Sequence, residues 1–79
     1  MDEITLAPHT ALEITPTGSY STIQNRNSES SGIVYISTHG DNNKVWIELA
    51  PGSAVKFDAP LFFMQKTKNT MKLPIVEAA

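Results

Sequence analysis

A nine-residue phrase occurs twice in this chain and constrains its fold more than any other feature. Ile4-Thr5-Leu6-Ala7-Pro8-His9-Thr10-Ala11-Leu12 aligns without a gap on Ile47-Glu48-Leu49-Ala50-Pro51-Gly52-Ser53-Ala54-Val55. Each copy reads as a short strand, a Pro-led turn and a second strand, because Pro presets φ for a turn and the small polar residues after it tolerate the reversal. The expected unit is a β-hairpin used twice. The likeness continues more faintly: Glu13-Ile14-Thr15-Pro16 corresponds, with one residue inserted, to Lys56-Phe57-Asp58-Ala59-Pro60, and each Pro precedes a strand ending in Gln, at Gln24 and Gln65. Two similar halves packed face to face would make a compact sandwich. Duplication, and convergence of tight turns on one phrase, are equally good origins for it.

Apolar residues alternate in Leu12-Glu13-Ile14, Ile47-Glu48-Leu49 and Val55-Lys56-Phe57-Asp58, the period-two pattern of strands with one buried face. Turn residues gather at Pro16-Thr17-Gly18, Asn25 to Gly32, His39 to Asn43, Pro51-Gly52 and Lys66 to Asn69. No segment has helical periodicity. The expectation is a single all-β domain over residues 1–79, a small β-sandwich or barrel of seven to eight short antiparallel strands. The strands are placed at Ile4–Leu6, Ala11–Ile14, Tyr20–Asn25, Ile33–Ser37, Val45–Leu49, Ala54–Asp58, Leu61–Gln65 and Leu73–Glu77.

A domain of 79 residues buries only about 60–65% of the surface its unfolded chain exposes, so its core is marginal. Small scaffolds compensate with disulfides, metals or association. The chain has no cysteine, which removes disulfides and thiolate metal sites and leaves association as the favoured device. No run approaches the roughly 20 apolar residues of a membrane span, and Asp2 and Glu3 stand where a signal peptide is basic. The expectation is a soluble, unprocessed chain with no membrane partner. A formal net charge of −2 disfavours nucleic acid, whose phosphates need a clustered excess of Lys and Arg. The charges are split, with Asp2, Glu3, Glu13, Glu29 and Asp41 against Arg26 up to residue 43, and all five lysines after it. Such a split either steers a partner or is a solvated surface.

Three segments are apolar on both faces: Ile33-Val34-Tyr35-Ile36, Val45-Trp46-Ile47 and Leu61-Phe62-Phe63-Met64. In a two-layer sandwich each strand has one core face, so the second apolar row needs another cover. Alternation through Val45, Ile47 and Leu49 directs Trp46 outward beside Glu48. Either a loop or edge of the same chain folds over these rows, or they are an interface. The interface residues are then Trp46, Tyr35 and one of Phe62 and Phe63, since opposite faces of one strand do not share a core.

Candidates for chemistry are weak. Ser37, His39 and Asp41 have the residue types of a hydrolase triad but crowd into one short stretch, whereas a triad converges from different elements onto an oxyanion hole. His39 and Asp41 share no metal spacing with His9, the other histidine, and a solvated turn His is the expectation. Asp41-Asn42-Asn43 lacks the further carboxylates of a calcium loop. Lys66, Lys68 and Lys72 form a small basic cluster without interleaved aromatics. No catalytic residue, metal site or cofactor is expected.

Ile23-Gln24-Asn25-Arg26-Asn27, then Gly32-Ile33-Val34-Tyr35-Ile36, then Leu49-Ala50-Pro51-Gly52-Ser53-Ala54-Val55-Lys56-Phe57 with Pro60-Leu61-Phe62 resemble the pattern of small structural proteins of tailed bacteriophages. In that pattern a strand ending in Gln-Asn precedes a Val-Tyr-Ile strand, and a Leu-Ala-Pro-Gly hairpin follows. The resemblance runs from Thr22 to Val76. It implies a non-enzymatic virion component assembled in the host cytoplasm, a homo-oligomeric decoration or cement protein contacting the major capsid protein or another virion protein. The alternative is a tail- or fibre-associated carbohydrate-binding module with Trp46 and Tyr35 as stacking platforms.

Overall fold

The computed structural model describes residues 3–27, 32–41 and 43–78. These form eight strands and no helix: β1 (Glu3–Leu6), β2 (Leu12–Ile14), β3 (Tyr20–Gln24), β4 (Val34–Ser37), β5 (Ile47–Leu49), β6 (Ala54–Phe57), β7 (Leu61–Gln65) and β8 (Met71–Ala78). They lie in two antiparallel four-stranded sheets, ordered β1-β8-β3-β6 and β2-β7-β4-β5. The expected all-β sandwich is therefore the fold, and every expected strand is present. The fifth starts at Ile47, two residues later than alternation indicated, because residues 45 and 46 belong to the loop after β4.

This strand order is that of a jelly roll, two Greek keys wrapped into a double-layered sandwich. Replacing each of β1–β4 by its counterpart in β5–β8, and the reverse, turns the order of the first sheet into that of the second. The repeated phrase occupies equivalent places under this exchange, spanning β1 to β2 in one half and β5 to β6 in the other.

The phrase is not a hairpin. β1 and β2 lie in different sheets, as do β5 and β6, so each copy is an arch that carries the chain from one layer to the other. The turn chemistry is as the sequence indicates. Pro8 and Pro51 are followed by left-handed residues, His9 at φ 55° and Gly52 at φ 88°, and the turns close through Thr10 N–H to Ala7 O (3.4 Å) and Ser53 N–H to Ala50 O (3.0 Å), the signature of type II turns. What opens the arch is the next donor. His9 N–H donates to Gln65 O at 2.8 Å and Gly52 N–H to Asn25 O at 2.7 Å, so each turn docks on the end of a remote strand instead of zipping its own two strands together.

Beneath each docked turn lies a buried carboxamide. Asn25 donates from Nδ2 to Gly32 O (2.7 Å) and Leu49 O (2.8 Å), and its oxygen accepts from Asn27 N–H (3.1 Å) and Asn27 Nδ2. Gln65 donates from Nε2 to Leu6 O (3.1 Å) and Asn69 O (2.7 Å), and its oxygen accepts from Thr67 N–H and Thr67 Oγ1. Leu6 and Leu49 are equivalent residues of the repeat. Both amides are inaccessible to solvent and satisfied on both ends, the condition under which burying a polar group is tolerated.

Ile4, Leu6, Ile14, Ile23, Val34, Leu49, Phe57, Phe63, Met71, Leu73 and Ile75 form the core between the sheets. Phe63 is fully buried, its ring 5.5 Å from that of Phe57. This corrects its standing as a partner-binding candidate: of the adjacent pair, Phe63 faces inward and Phe62 outward.

Candidate functional site

Of the three doubly apolar segments, two fall on β4 and β7 and the third enters β5 at Ile47, all strands of one sheet. Register sets their outward row: Tyr35 stands opposite Met64 and Glu48, and Ser37 opposite Phe62. The loop of residues 38–46 that joins the two halves folds onto this face. Its Gly40 sits on the Phe62 ring, where a Cβ would come within 2.9 Å of Phe62 Cε2, so absence of a side chain permits the approach. Phe62, Tyr35 and Trp46 are consequently half-buried rather than bare. Part of the cover required by the second apolar row is supplied by the chain itself.

His39 organises the loop. Its backbone N–H donates to Ser37 Oγ (3.0 Å), its Nδ1 accepts from Asp41 N–H (3.3 Å), and its Nε2 lies 3.2 Å from Val45 O. A neutral ring with the proton on Nε2 satisfies both nitrogens. Trp46 packs against the imidazole edge-on, with centroids 5.7 Å apart, and its indole N–H donates to Asp41 O at 3.1 Å. His39 is thus a half-buried clamp, not a solvated turn residue. Within Ser37, His39 and Asp41 these bonds join side chains to backbone groups, unlike the side-chain to side-chain relay of a triad. Among the described residues no group of three His, Asp or Glu is placed to hold a metal ion. Asn42 of the Asp41-Asn42-Asn43 run lies outside the described residues.

The loop separates two surface features. On its outer side is a groove of about 320 Å³ lined by Tyr35, Trp46, Met64, Lys44, Lys66 and His9. Tyr35 and Trp46, which the sequence reading paired as stacking platforms, do meet here, and Lys66 Nζ lies 4.7 Å above the Tyr35 ring centroid. The basic cluster of the sequence is dispersed: Lys66 enters this groove, whereas Lys72 sits on the opposite sheet and pairs with Glu3 at 3.8 Å. At the end of the sandwich is the second feature, an apolar cleft of about 200 Å³ between Ile36, Leu61, Val45 and Ile47. Val45 is 89% and Ile47 68% exposed.

The exposure of Val45 and Ile47 reverses the expectation for this segment, which placed them inward and left Trp46 bare. Ile47 does share the inward register of Leu49, opposite Ile36, but it lies where the short β4 is about to end and nothing closes over it. Its repeat equivalent, Ile4, lies opposite Leu73, past which the eight-residue β8 continues to Ala78, and is 3% exposed. Val45, Ile47, Lys44 and His9 are thus site residues that sequence reasoning missed. The polar run Asn42-Asn43-Lys44 was the available signal that the strand starts late. Among the described residues no helix is long and apolar enough to cross a membrane.

No protein family matches this chain by sequence, no curated protein matches it, and no solved structure matches it.

Proposed function

We propose that this chain is a structural protein of a bacteriophage virion, a capsid decoration or cement protein that stabilises the head by protein contacts and acts there as a homo-oligomer. The observation that carries the reading is the uncovered pair Val45 and Ile47 at the rim of an apolar cleft, whereas Ile4, the equivalent of Ile47 in the other half of the pseudo-symmetric fold, is buried. Burying two such side chains contributes about 1.5–3 kcal/mol each. Trp46 and Phe62, half-buried beside them, are of the aromatic type that anchors interfaces. A domain this small, without disulfides, gains by associating. The jelly roll supports the reading by analogy, because viral capsid domains use it, although lectins and cupins do as well. The resemblance of the segments from Thr22 to Val76 to phage structural proteins points the same way. The partner is the major capsid protein or another virion protein, the location is the outer surface of the head, and neither catalysis, a cofactor, nucleic acid nor a membrane enters the role.

The test uses phage heads purified without this chain. The wild-type protein is expected to bind them with a dissociation constant near or below about 1 μM. Val45→Asp and Ile47→Asp should weaken binding at least about tenfold while leaving the β circular dichroism unchanged, because exposed substitutions shift stability by only about 0.5 kcal/mol. Trp46→Ala should weaken it as well, and light scattering reports whether the same substitutions dissociate the oligomer. A folded wild-type chain that is monomeric and leaves the heads bare at micromolar concentration overturns the proposal.

A further inference from the structure

The groove on the outer face of the β2-β7-β4-β5 sheet has a chemistry that contact with a capsid does not require. Its floor is Met64, which points outward yet is almost inaccessible, so the groove has a packed apolar base. Two aromatic residues, Tyr35 and Trp46, and two lysines, Lys44 and Lys66, line it with His9, and no carboxylate does. Glu48 lies opposite Tyr35 in register but outside that lining. Among the described residues the one ion pair is Glu3 with Lys72 on the other sheet, so neither groove lysine is neutralised by a described carboxylate. A chain of net charge −2 therefore concentrates positive charge in one concavity, which focuses an anion there.

Trp46 is held in advance. The Trp46 indole is fixed by its hydrogen bond to Asp41 O and by the His39 edge. The Tyr35 ring has Lys66 over one face, and a ligand that stacks there displaces this exposed ammonium toward its own anionic group. Side chains held before binding lose less freedom when a ligand arrives. A volume of about 320 Å³ is at the small end of ligand sites, which span about 300–1,000 Å³.

We infer that this groove binds an acidic saccharide, a sugar ring bearing a carboxylate, with an apolar ring face against Tyr35 and Trp46 and the carboxylate held by Lys44 and Lys66. The groove is shallow and its cations are exposed, which suits a ligand that keeps its hydroxyls in water. An aromatic anion would need deeper burial. A nucleic-acid strand would need more cations than two, since its affinity grows with the number of phosphates neutralised.

Trp46 is the single tryptophan of the chain and lines the groove, so its fluorescence reports a ligand bound there. The probes are a hyaluronan tetrasaccharide of alternating glucuronate and N-acetylglucosamine, the uncharged tetrasaccharide of N-acetylglucosamine, and octathymidylate. The hyaluronan fragment is expected to change Trp46 emission saturably with a dissociation constant of about 1 mM or tighter at low salt, weakening as salt rises. The uncharged sugar should bind about tenfold more weakly. Lys44→Met and Lys66→Met should each remove most of that difference, and Tyr35→Leu should weaken both sugars. Ile47→Ser, which adds no charge beside the groove, should leave saccharide binding unchanged while weakening docking on heads, which separates this inference from that docking, because either can fail while the other stands. The inference is overturned if no saturable change occurs up to about 10 mM, if charged and uncharged sugars bind alike, if the lysine variants bind as wild type, or if octathymidylate binds more tightly than the hyaluronan fragment.

Discussion

Ile4 and Ile47 open the two copies of the same phrase, lead into the same type of turn and precede equivalent leucines, yet one is sealed in the core and the other stands in solvent. The difference lies in what the rest of each half provides. β8 runs eight residues and continues to Ala78 past Leu73, the neighbour of Ile4, whereas β4 runs four and stops one residue past Ile36, the neighbour of Ile47. The repeat therefore builds architecture, while the loop between the halves, which is not repeated, adds Val45 to the uncovered apolar surface that Ile47 begins and contributes Lys44 and Trp46 to the groove. The outer faces follow suit. The β1-β8-β3-β6 sheet presents Thr5, Lys72, Thr22 and Lys56, with Lys56 Nζ 4.0 Å over the Tyr20 ring, and a single exposed large apolar residue, Val76, opposite Thr22, a mostly solvated surface. The other sheet presents Tyr35, Met64, Phe62 and, from the loop, Trp46.

The equivalence of the halves is open to attack at the two buried amides, where the largest effect is expected. Asn25→Ala removes the donor to Gly32 O and Leu49 O, and Gln65→Ala the donor to Leu6 O and Asn69 O. Each buried group left without a partner costs about 1–3 kcal/mol, so each variant should lose about 3 kcal/mol or more in urea unfolding, a large part of the stability of so small a domain. A loss confined to one of the two would mean that the arches are alike in shape but not in energetics.

A smaller effect is expected at the second turn. Gly52→Ala meets nothing within 4 Å, so the whole penalty is the left-handed backbone at φ 88°, about 1–2 kcal/mol. Unfolding in urea measures it, and an unchanged midpoint would mean that the turn relaxes out of type II geometry at little expense.

The next effect is local. His39→Ala strips two hydrogen bonds and the edge contact from the loop, each bond contributing about 1 kcal/mol. Trp46 emission should shift to the red as the indole gains water, while global unfolding moves by about 1 kcal/mol at most. An unshifted spectrum would return His39 to the role of a solvated turn residue.

Strands and layers were legible in this chain because burying one face enforces period-two alternation, which Leu12 to Ile14 and Val55 to Asp58 display without interruption. The arches were not legible. Ala-Pro-X-Thr/Ser specifies a turn, but whether its strands zip or part depends on where the N–H of His9 or Gly52 finds an acceptor, and that acceptor lies on a distant strand. Alternation likewise assigned Ile47 its side of the sheet without saying whether anything would cover it. The aromatic half of the groove was visible in Tyr35 and Trp46. Its basic and polar lining was not, because Lys44, Lys66 and His9 come from three separate loops and turns that only the fold assembles.

The finest test of the comparison is His9→Gly, which makes the first turn chemically like the second. His9 holds φ 55°, a conformation that disfavours side-chain-bearing residues by about 1–2 kcal/mol, though histidine tolerates it better than most. Glycine would relieve that strain. It would also enlarge the conformational freedom lost on folding, a penalty of about 0.4–1 kcal/mol. The two contributions nearly cancel, so unfolding in urea should stay within about 0.5 kcal/mol of wild type, because the N–H bond to Gln65 O survives in the variant. A loss above about 1 kcal/mol would mean that the imidazole itself, at the edge of the groove beside Lys66 and Tyr35, holds this arch in place. The two turns would then share a backbone but not a mechanism, and His9 would join the groove as a structural member.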